Sequence, residues 1–496
     1  MQPPRLDLSL AVDTVHSKRI RRKLTMQEKQ SVNRRQFLRM SSAVGATAFL
    51  AACAAPAAPA ADSSGDGEAM AEMISLRYQS REPERAAGIA ELWKEFYPQF
   101  QEANPNIEVE FLPDPGGANR REGALSAMVA GNAPDLTEWC CSSSTFFMQK
   151  GETLSLQPYI DRDAEEVNLD DYYEAQFDPW TLDGDIHLMP RFTGTQVIYF
   201  NKDMFDAKGI EYPPQEWGAW NWEDYTNLLR QFADADAQPQ IWGTSNYGLN
   251  ANWLSQYWIR GFGANMVNPE DNTHCGLDSP EAYDALEWMR SIVHDEPLFA
   301  YGADIGMGVV ELFLGQRIAL MEIGPWNLGV QADGATFRWD VAPMPDGPAG
   351  PTTHQSVDGT MVWKGTAHPD ESWELMKWLT SPLYGRLYIT WAQKQPSRKS
   401  LLPEYADIMR AANEKFEDVN LDVFTSSVGQ DIGGPEEMFA EDLVCKNQIL
   451  KPAFDLVMLL GEQPVDLIVS HADVATRFNR GEINIEDLGA ELDKLS

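Results

Sequence analysis

Cysteine is scarce in this chain, five residues in 496, and apart from the neighbours Cys140 and Cys141 they stand far from one another. A scaffold held by disulfides needs more cysteines at closer spacing, so that class is excluded. Beyond Cys53, the other four (Cys140, Cys141, Cys275 and Cys445) are expected as free thiols. Histidine is also sparse, with seven residues at no metal-ligand spacing, and no G-x-S-x-G, P-loop or H-E-x-x-H motif occurs. The run "ADADAQ", residues 233–238, lacks the loop glycine and closing glutamate of a calcium site and reads as a solvated helix end. No cofactor, catalytic residue or metal ligand is therefore expected.

Positive charge is short too: 39 Lys and Arg face 75 Asp and Glu. Residues 1–53 hold ten of the former and three of the latter, so the remainder carries a net −43. Such a field repels nucleic acid and anionic lipid and favours a neutral or cationic small ligand. What the chain does have is core material, 43% hydrophobic residues, together with 16 Trp, 31 Pro and 36 Gly. Its length calls for two or three lobes or one very large domain.

The beginning reads as an address. "NRRQFLRMSSAVGATAFLAAC", residues 33–53, has a basic stretch, an apolar segment from Ala43 to Leu50 too short for a permanent membrane span, and small residues leading to Cys53. Arg34-Arg35 followed by Phe37-Leu38 resembles a twin-arginine export signal, and "LAAC" resembles the lipobox of bacterial lipoproteins. That resemblance implies cleavage before Cys53, lipid on its thiol, and a location on the outer face of the cell membrane or in the periplasm. Residues 54–72, "AAPAAPAADSSGDGEAMAE", would be a flexible tether. Met26 is an alternative start.

The body alternates strands and helices. "MISLRYQS" is strand-like, "GIAELWKEFYPQFQEAN" has helical apolar spacing and "NIEVEFLP" has period two, a β-α-β opening. "GALSAMVAGNAPDLTEW" adds a helix and a short strand ending at Trp139. "WNWEDYTNLLRQFADA" is a helix capped by Asn221 with Asp224 three residues on. Trp288, Trp373 and Trp378 sit at helical spacing among apolar neighbours and are expected in the core. The pattern predicts an α/β fold with parallel strands covered by helices.

Four segments in order, "NAPDLTEW", "LMPRFTGTQVIYFNKDMFDAKGI", "GQRIALMEIGPWNLG" and "DGTMVWKGTAHPDESWELMKWLTSP", resemble the extracellular solute-binding proteins of bacterial ABC importers, in the family that includes the maltose-binding protein. The resemblance covers about residues 74–480. It implies a two-lobed periplasmic-binding-protein-like fold with the ligand in an interlobe cleft. The first lobe would comprise residues 73–191 plus 341–392 and the second 196–338 plus 397–496, with "PRFTGTQ" as the first hinge crossing. Carbohydrate is the implied ligand, an ABC permease the implied partner and a monomer the implied state.

Carried residue by residue, the resemblance places Trp326 of the Gly-Pro-Trp turn in the cleft, where an indole stacks on the C–H face of a pyranose. Trp139, at the end of a strand, is the second expected platform. Gln79, Arg81 and Glu82 after the first strand suit adjacent hydroxyls. Trp253, Ser142 and Gln448 fall at family ligand positions, the last two without the family's larger or charged side chains. A binding protein for peptide or another non-sugar solute is the alternative. A secreted glycosidase is a third reading, but 72 acidic residues beyond Cys53 make any chosen carboxylate pair uninformative.

Overall fold

The computed structural model describes residues 72–81, 87–112, 120–140, 142–245, 253–296, 298–300, 308–428 and 432–495. The export signal, the lipobox with Cys53 and the tether lie outside the described residues. From Ala71 to Ser496 the chain packs as one compact unit, organised around two sheets.

The first sheet begins with β1 (Ile74–Gln79), the helix Ala87–Ala103, β2 (Ile107–Leu112), the helix Arg120–Val129 and β3 (Leu136–Cys140). β1 pairs in parallel with both β2 and β3, as the alternation of "SLRY" demands: Leu76 and Tyr78 are buried while their neighbours face outward. Leu92, Phe96 and Phe100 repeat every four residues along the first helix and fix its buried face. After a hairpin of β4 (Thr181–Leu182) and β5 (Asp185–Ile186) comes β6 (Met189–Thr195), the edge of the sheet.

Gln196 alone separates β6 from β7 (Val197–Asn201), the central strand of the second sheet. β8 (Val267–Asn268) and β9 (Asp271–Cys275) form a side hairpin, while β10 (Leu320–Ile323) and β11 (Trp339–Ala342) flank β7 on either side, antiparallel to it. Alternate residues of β7 serve two cores, Ile198 and Phe200 on one face and Val197 and Tyr199 on the other. The chain then returns through residues 343–354 to β12 (Gln355–Val362), which lies between β3 and β6 and is antiparallel to both. Before that return β11 pairs with β7 along its whole length, through Ala342.

The helices Pro369–Leu379 and Pro382–Ala392 complete the first core, and the chain crosses again near Pro396, which bridges Phe192. Three crossings thus run side by side, tied by Gln196 N–H to the His354 carbonyl at 2.9 Å and Thr195 N–H to Gln395 Oε1 at 3.1 Å. At Gly433 the packing admits no side chain: its φ is +79°, and a Cβ there would lie 1.8 Å from the Thr353 oxygen.

Local signals behave as their chemistry requires. The Asn221 side chain accepts from Glu223 and Asp224 N–H groups, and Asp224 returns a bond to Asn221 N–H. Trp373 is buried, Trp378 packs on the first core, and Trp288 stacks on Trp222 at 4.7 Å. Asp234, in the acidic run, accepts at Oδ1 from the N–H groups of Asp236 and Ala237 in the turn that follows the helix Trp222–Phe232. Cys140, Cys275 and Cys445 are free thiols. Among the described residues no helix is long and apolar enough to cross a membrane.

Candidate functional site at the crossing of the lobes

Trp326 follows β10 in a 3-10 turn, Pro325–Asn327. Two glycines hold its ring. A Cβ at Gly324 would lie 2.0 Å from Trp326 Cζ3, so the indole folds back over its own turn. A Cβ at Gly194, on β6, would lie 3.0 Å from Trp326 Cε3 and 2.7 Å from Phe192 Cζ. The Gly324 carbonyl is fixed by the Tyr199 hydroxyl at 3.0 Å. The ring is half-buried and packs against cores of both lobes, which explains a large aromatic just outside a strand.

The register of the first sheet leads from that slot to the end of β1. Gly194 pairs with Ser356 and Phe192 with Asp358 across β6 and β12, so the two positions share one sheet face two residues apart, about 7 Å along the strand. Asp358 accepts from Arg81 Nη1, and the two form an ion pair. Arg81 and Trp326 therefore border one neighbourhood, with Asp358 and Phe192 between them. Gln79 closes β1 beside Leu112 and Thr137 and is half-buried.

Under this edge lies Glu138, 1% exposed. It accepts from the Tyr78 hydroxyl, from Ser80 Oγ at 2.8 Å and from the Arg81 backbone N–H at 2.8 Å. Arg191 Nε stands 2.9 Å from its Oε1, off the line of a hydrogen bond. The Arg191 amino groups find no hydrogen-bond partner among the described residues, and the guanidinium lies 4.3 Å from the centre of the Tyr388 ring. Burial, then the Glu138 charge, raises the Tyr78 hydroxyl well above its ordinary value, so it remains a donor. The ends of β1 and β3 are thus locked by one buried carboxylate.

The remaining expected residues part company. Trp139 is 2% exposed, on the opposite face from Asp358: Phe147 packs on it at 4.6 Å, the Arg120 guanidinium sits 4.0 Å from its ring centre, and its N–H bonds Thr137 Oγ1 at 3.0 Å. In place of an open stacking platform it is a core residue, because alternation along β3 turns it toward the covering helix while Glu138 turns to the site. Gln448 is exposed on the π-helical segment Cys445–Leu450. Ser142 and Trp253 each open a helix, Ser142–Gln149 and Trp253–Gly261, with side chains outside the described residues, as is all of Glu82.

Asp358, Phe192, Glu138 and Arg191 were missed from the sequence alone. The signal for Glu138, Arg191 and Asp358 was a charge inside an otherwise apolar strand, in "DLTEW", "MPRFTG" and "SVDGTMV", which requires a buried partner; Phe192 had none.

Two lobes, three crossings and an aromatic slot at the first of them define a periplasmic-binding-protein type of molecule. The model of the bacterial extracellular solute-binding protein family matches residues 83–384, and the chain belongs to that family. It is 23% identical over 313 residues to a binding protein of Brucella abortus, covering 60% of this chain and 70% of that one. It is 23% identical over 260 residues to the maltodextrin-binding protein of Bacillus subtilis, 50% of this chain and 56% of the other. The structure is similar, at a TM-score of 0.69 and 22% identity, to an ABC substrate-binding protein of Listeria monocytogenes in complex with cycloalternan, covering 83% of this chain and 100% of that one.

Proposed function

We propose that this protein captures a carbohydrate in the groove bordered by Trp326, Arg81 and Gln79 and delivers it to the permease of an ABC importer. One observation carries the reading: an indole held half-exposed between glycines of two lobes, at the point where the chain crosses from one to the other. A sugar's C–H face needs such a plate, and its hydroxyls need directional partners such as Gln79 and the Arg81–Asp358 pair. The maltodextrin-binding relative and the neighbour bound to cycloalternan support the same ligand class. Ligand favours a closed form only through contacts that improve on closure, and the second lobe's wall supplies them. No residue is assigned a catalytic step, and the protein acts as a monomer.

The lobes in this reading are residues 73–191 with the β12 region to 392, and 196–342 with 397–496. The leader exports the chain, and lipid on Cys53 holds it to the membrane face with residues 54–72 as tether. Cys53→Ser should leave the fold intact and move the protein from washed membranes to the soluble fraction; retention in the membranes would refute the anchor.

The test of the groove is Trp326→Ala, titrated calorimetrically with maltotriose, an arabinotriose and a cyclic tetrasaccharide. Affinity for the sugar that binds should fall about tenfold to hundredfold, about 1–3 kcal/mol, with the fold retained. A strongly lowered melting temperature with unchanged affinity would remove Trp326 from the site.

A further inference from the structure

Arg81 is fixed at two points, and both belong to one face of the first sheet. Glu138 pairs with Thr360 across β3 and β12, two residues from Asp358, so the two carboxylates stand about 7 Å apart along the strand. Asp358 takes the Arg81 guanidinium, and Glu138 takes its backbone N–H at 2.8 Å. Both carboxylates are buried, whereas the Arg81 side chain keeps 35% of its surface open.

The two oxygens of Glu138 divide their partners. Oε1 faces the Tyr78 hydroxyl and Arg191 Nε, on β1 and β6. Oε2 accepts from Ser80 Oγ and from the Arg81 N–H, the first residues beyond β1. At Ser80 the backbone still bonds β2, through the Leu112 carbonyl at 3.2 Å; at Arg81 the N–H goes to a side chain instead. The carboxylate thus takes over where the strand ladder ends. Four donors meet two oxygens with about four lone-pair sites, a demand that an ionised carboxylate meets and an amide does not. An amide here would have one oxygen, and the buried Arg191 cation would draw it to its own side. Its NH2 would then face the Arg81 N–H, donor against donor.

We propose that Glu138 is a positioning residue for the ligand, an inference that rests on the reading of the groove as the binding site. Oε2 holds the Arg81 backbone so that the guanidinium reaches Asp358 and the pair is set in one orientation for a ligand's hydroxyls. Oε1 fixes the carboxylate itself to β6, the strand that leads to the second lobe. A side chain ordered before the ligand arrives spares binding the cost of ordering it.

The full chain is titrated calorimetrically with maltotriose, an arabinotriose and a cyclic tetrasaccharide, and amide hydrogen exchange is followed by mass spectrometry with no sugar present. Glu138→Gln should speed exchange at Arg81 about tenfold more than at Leu76, in the middle of β1, and weaken the sugar that binds about tenfold. In an Arg81→Ala background the same substitution should change affinity by less than about twofold, since the residue it acts through is gone. Arg191→Met added to Glu138→Gln removes the cation that turns the amide. Its oxygen can then face the Arg81 N–H, and protection and affinity should recover; this variant also serves if the single one does not fold. Equal losses of affinity in the two backgrounds, exchange at Arg81 that rises no more than at Leu76, or no recovery in the double variant would overturn the role. Weakening by Trp326→Ala with none by Glu138→Gln would keep the groove and remove Glu138 from it. Unchanged affinity in both Trp326→Ala and Arg81→Ala, or no binding of the three sugars, would remove the groove and this role together.

Discussion

Two glutamates, one in each sheet, are equally hidden at 1% exposure and have opposite surroundings. Glu138 in β3 meets a guanidinium, two hydroxyls and a backbone N–H. Glu322 in β10 meets the Tyr225 hydroxyl, and burial pushes its carboxyl up to about 8. The Tyr257 hydroxyl lies within the field of Glu322. Burial alone therefore does not decide what a buried acid is: its partners do. At the end of β3 the partners come from the strand that leaves for the other lobe, from β1 and from the segment that follows it. A carboxylate tied to a guanidinium at the end of β3 and an acid raised by burial in a core are two uses of one residue type.

Breaking the lock should have the largest effect. Glu138→Leu strands Arg191, itself 4% exposed, beside the Tyr388 ring. A buried charge deprived of its partner costs about 3–5 kcal/mol, read as a lowered urea midpoint. Adding Arg191→Met to Glu138→Leu should recover most of that loss, since two apolar side chains of similar volume need no compensation. A single variant within about 1 kcal/mol of the unaltered protein would show that the pair does not set the stability of this region.

The same comparison marks how far the sequence could be read. The α/β pattern, the opening β-α-β unit, the Asn221 cap and the core tryptophans were legible because period and capping chemistry are local. Trp326 was legible as a residue needing a special environment, since a Gly-Pro step in front of a tryptophan is a local peculiarity. Trp139 was not: a tryptophan at a strand end can face either side of the sheet, and only the register of β3 against β12 decides that it enters the core. The pairing of β11 with β7 was not legible either, because it is a contact between residues about 140 positions apart. The Glu138–Arg191 pair joins residues 53 positions apart, and a lone charge in a strand announces only that some partner exists.

A smaller and opposite effect is expected from the neutral acid. In the unfolded chain Glu322 ionises near 4.5, and in the folded protein it stays protonated up to about 8. Between those values the folded state binds the extra proton, so stability falls as pH rises from about 4.5 to about 8 and is fully retained only below that window. Glu322→Gln keeps an oxygen to accept from Tyr225 and cannot ionise. It should therefore flatten this window and raise stability at pH 8 by about 1–3 kcal/mol, a discounted reading of the shift because the site can relax on ionisation. Urea unfolding at pH 5, 6.5 and 8 measures it. Equal stability of the two proteins at pH 5 with a gap that widens toward pH 8 is the expected result. A constant gap across the three would mean that Glu322 keeps one protonation state throughout, and the contrast with Glu138 would then be one of packing and not of charge.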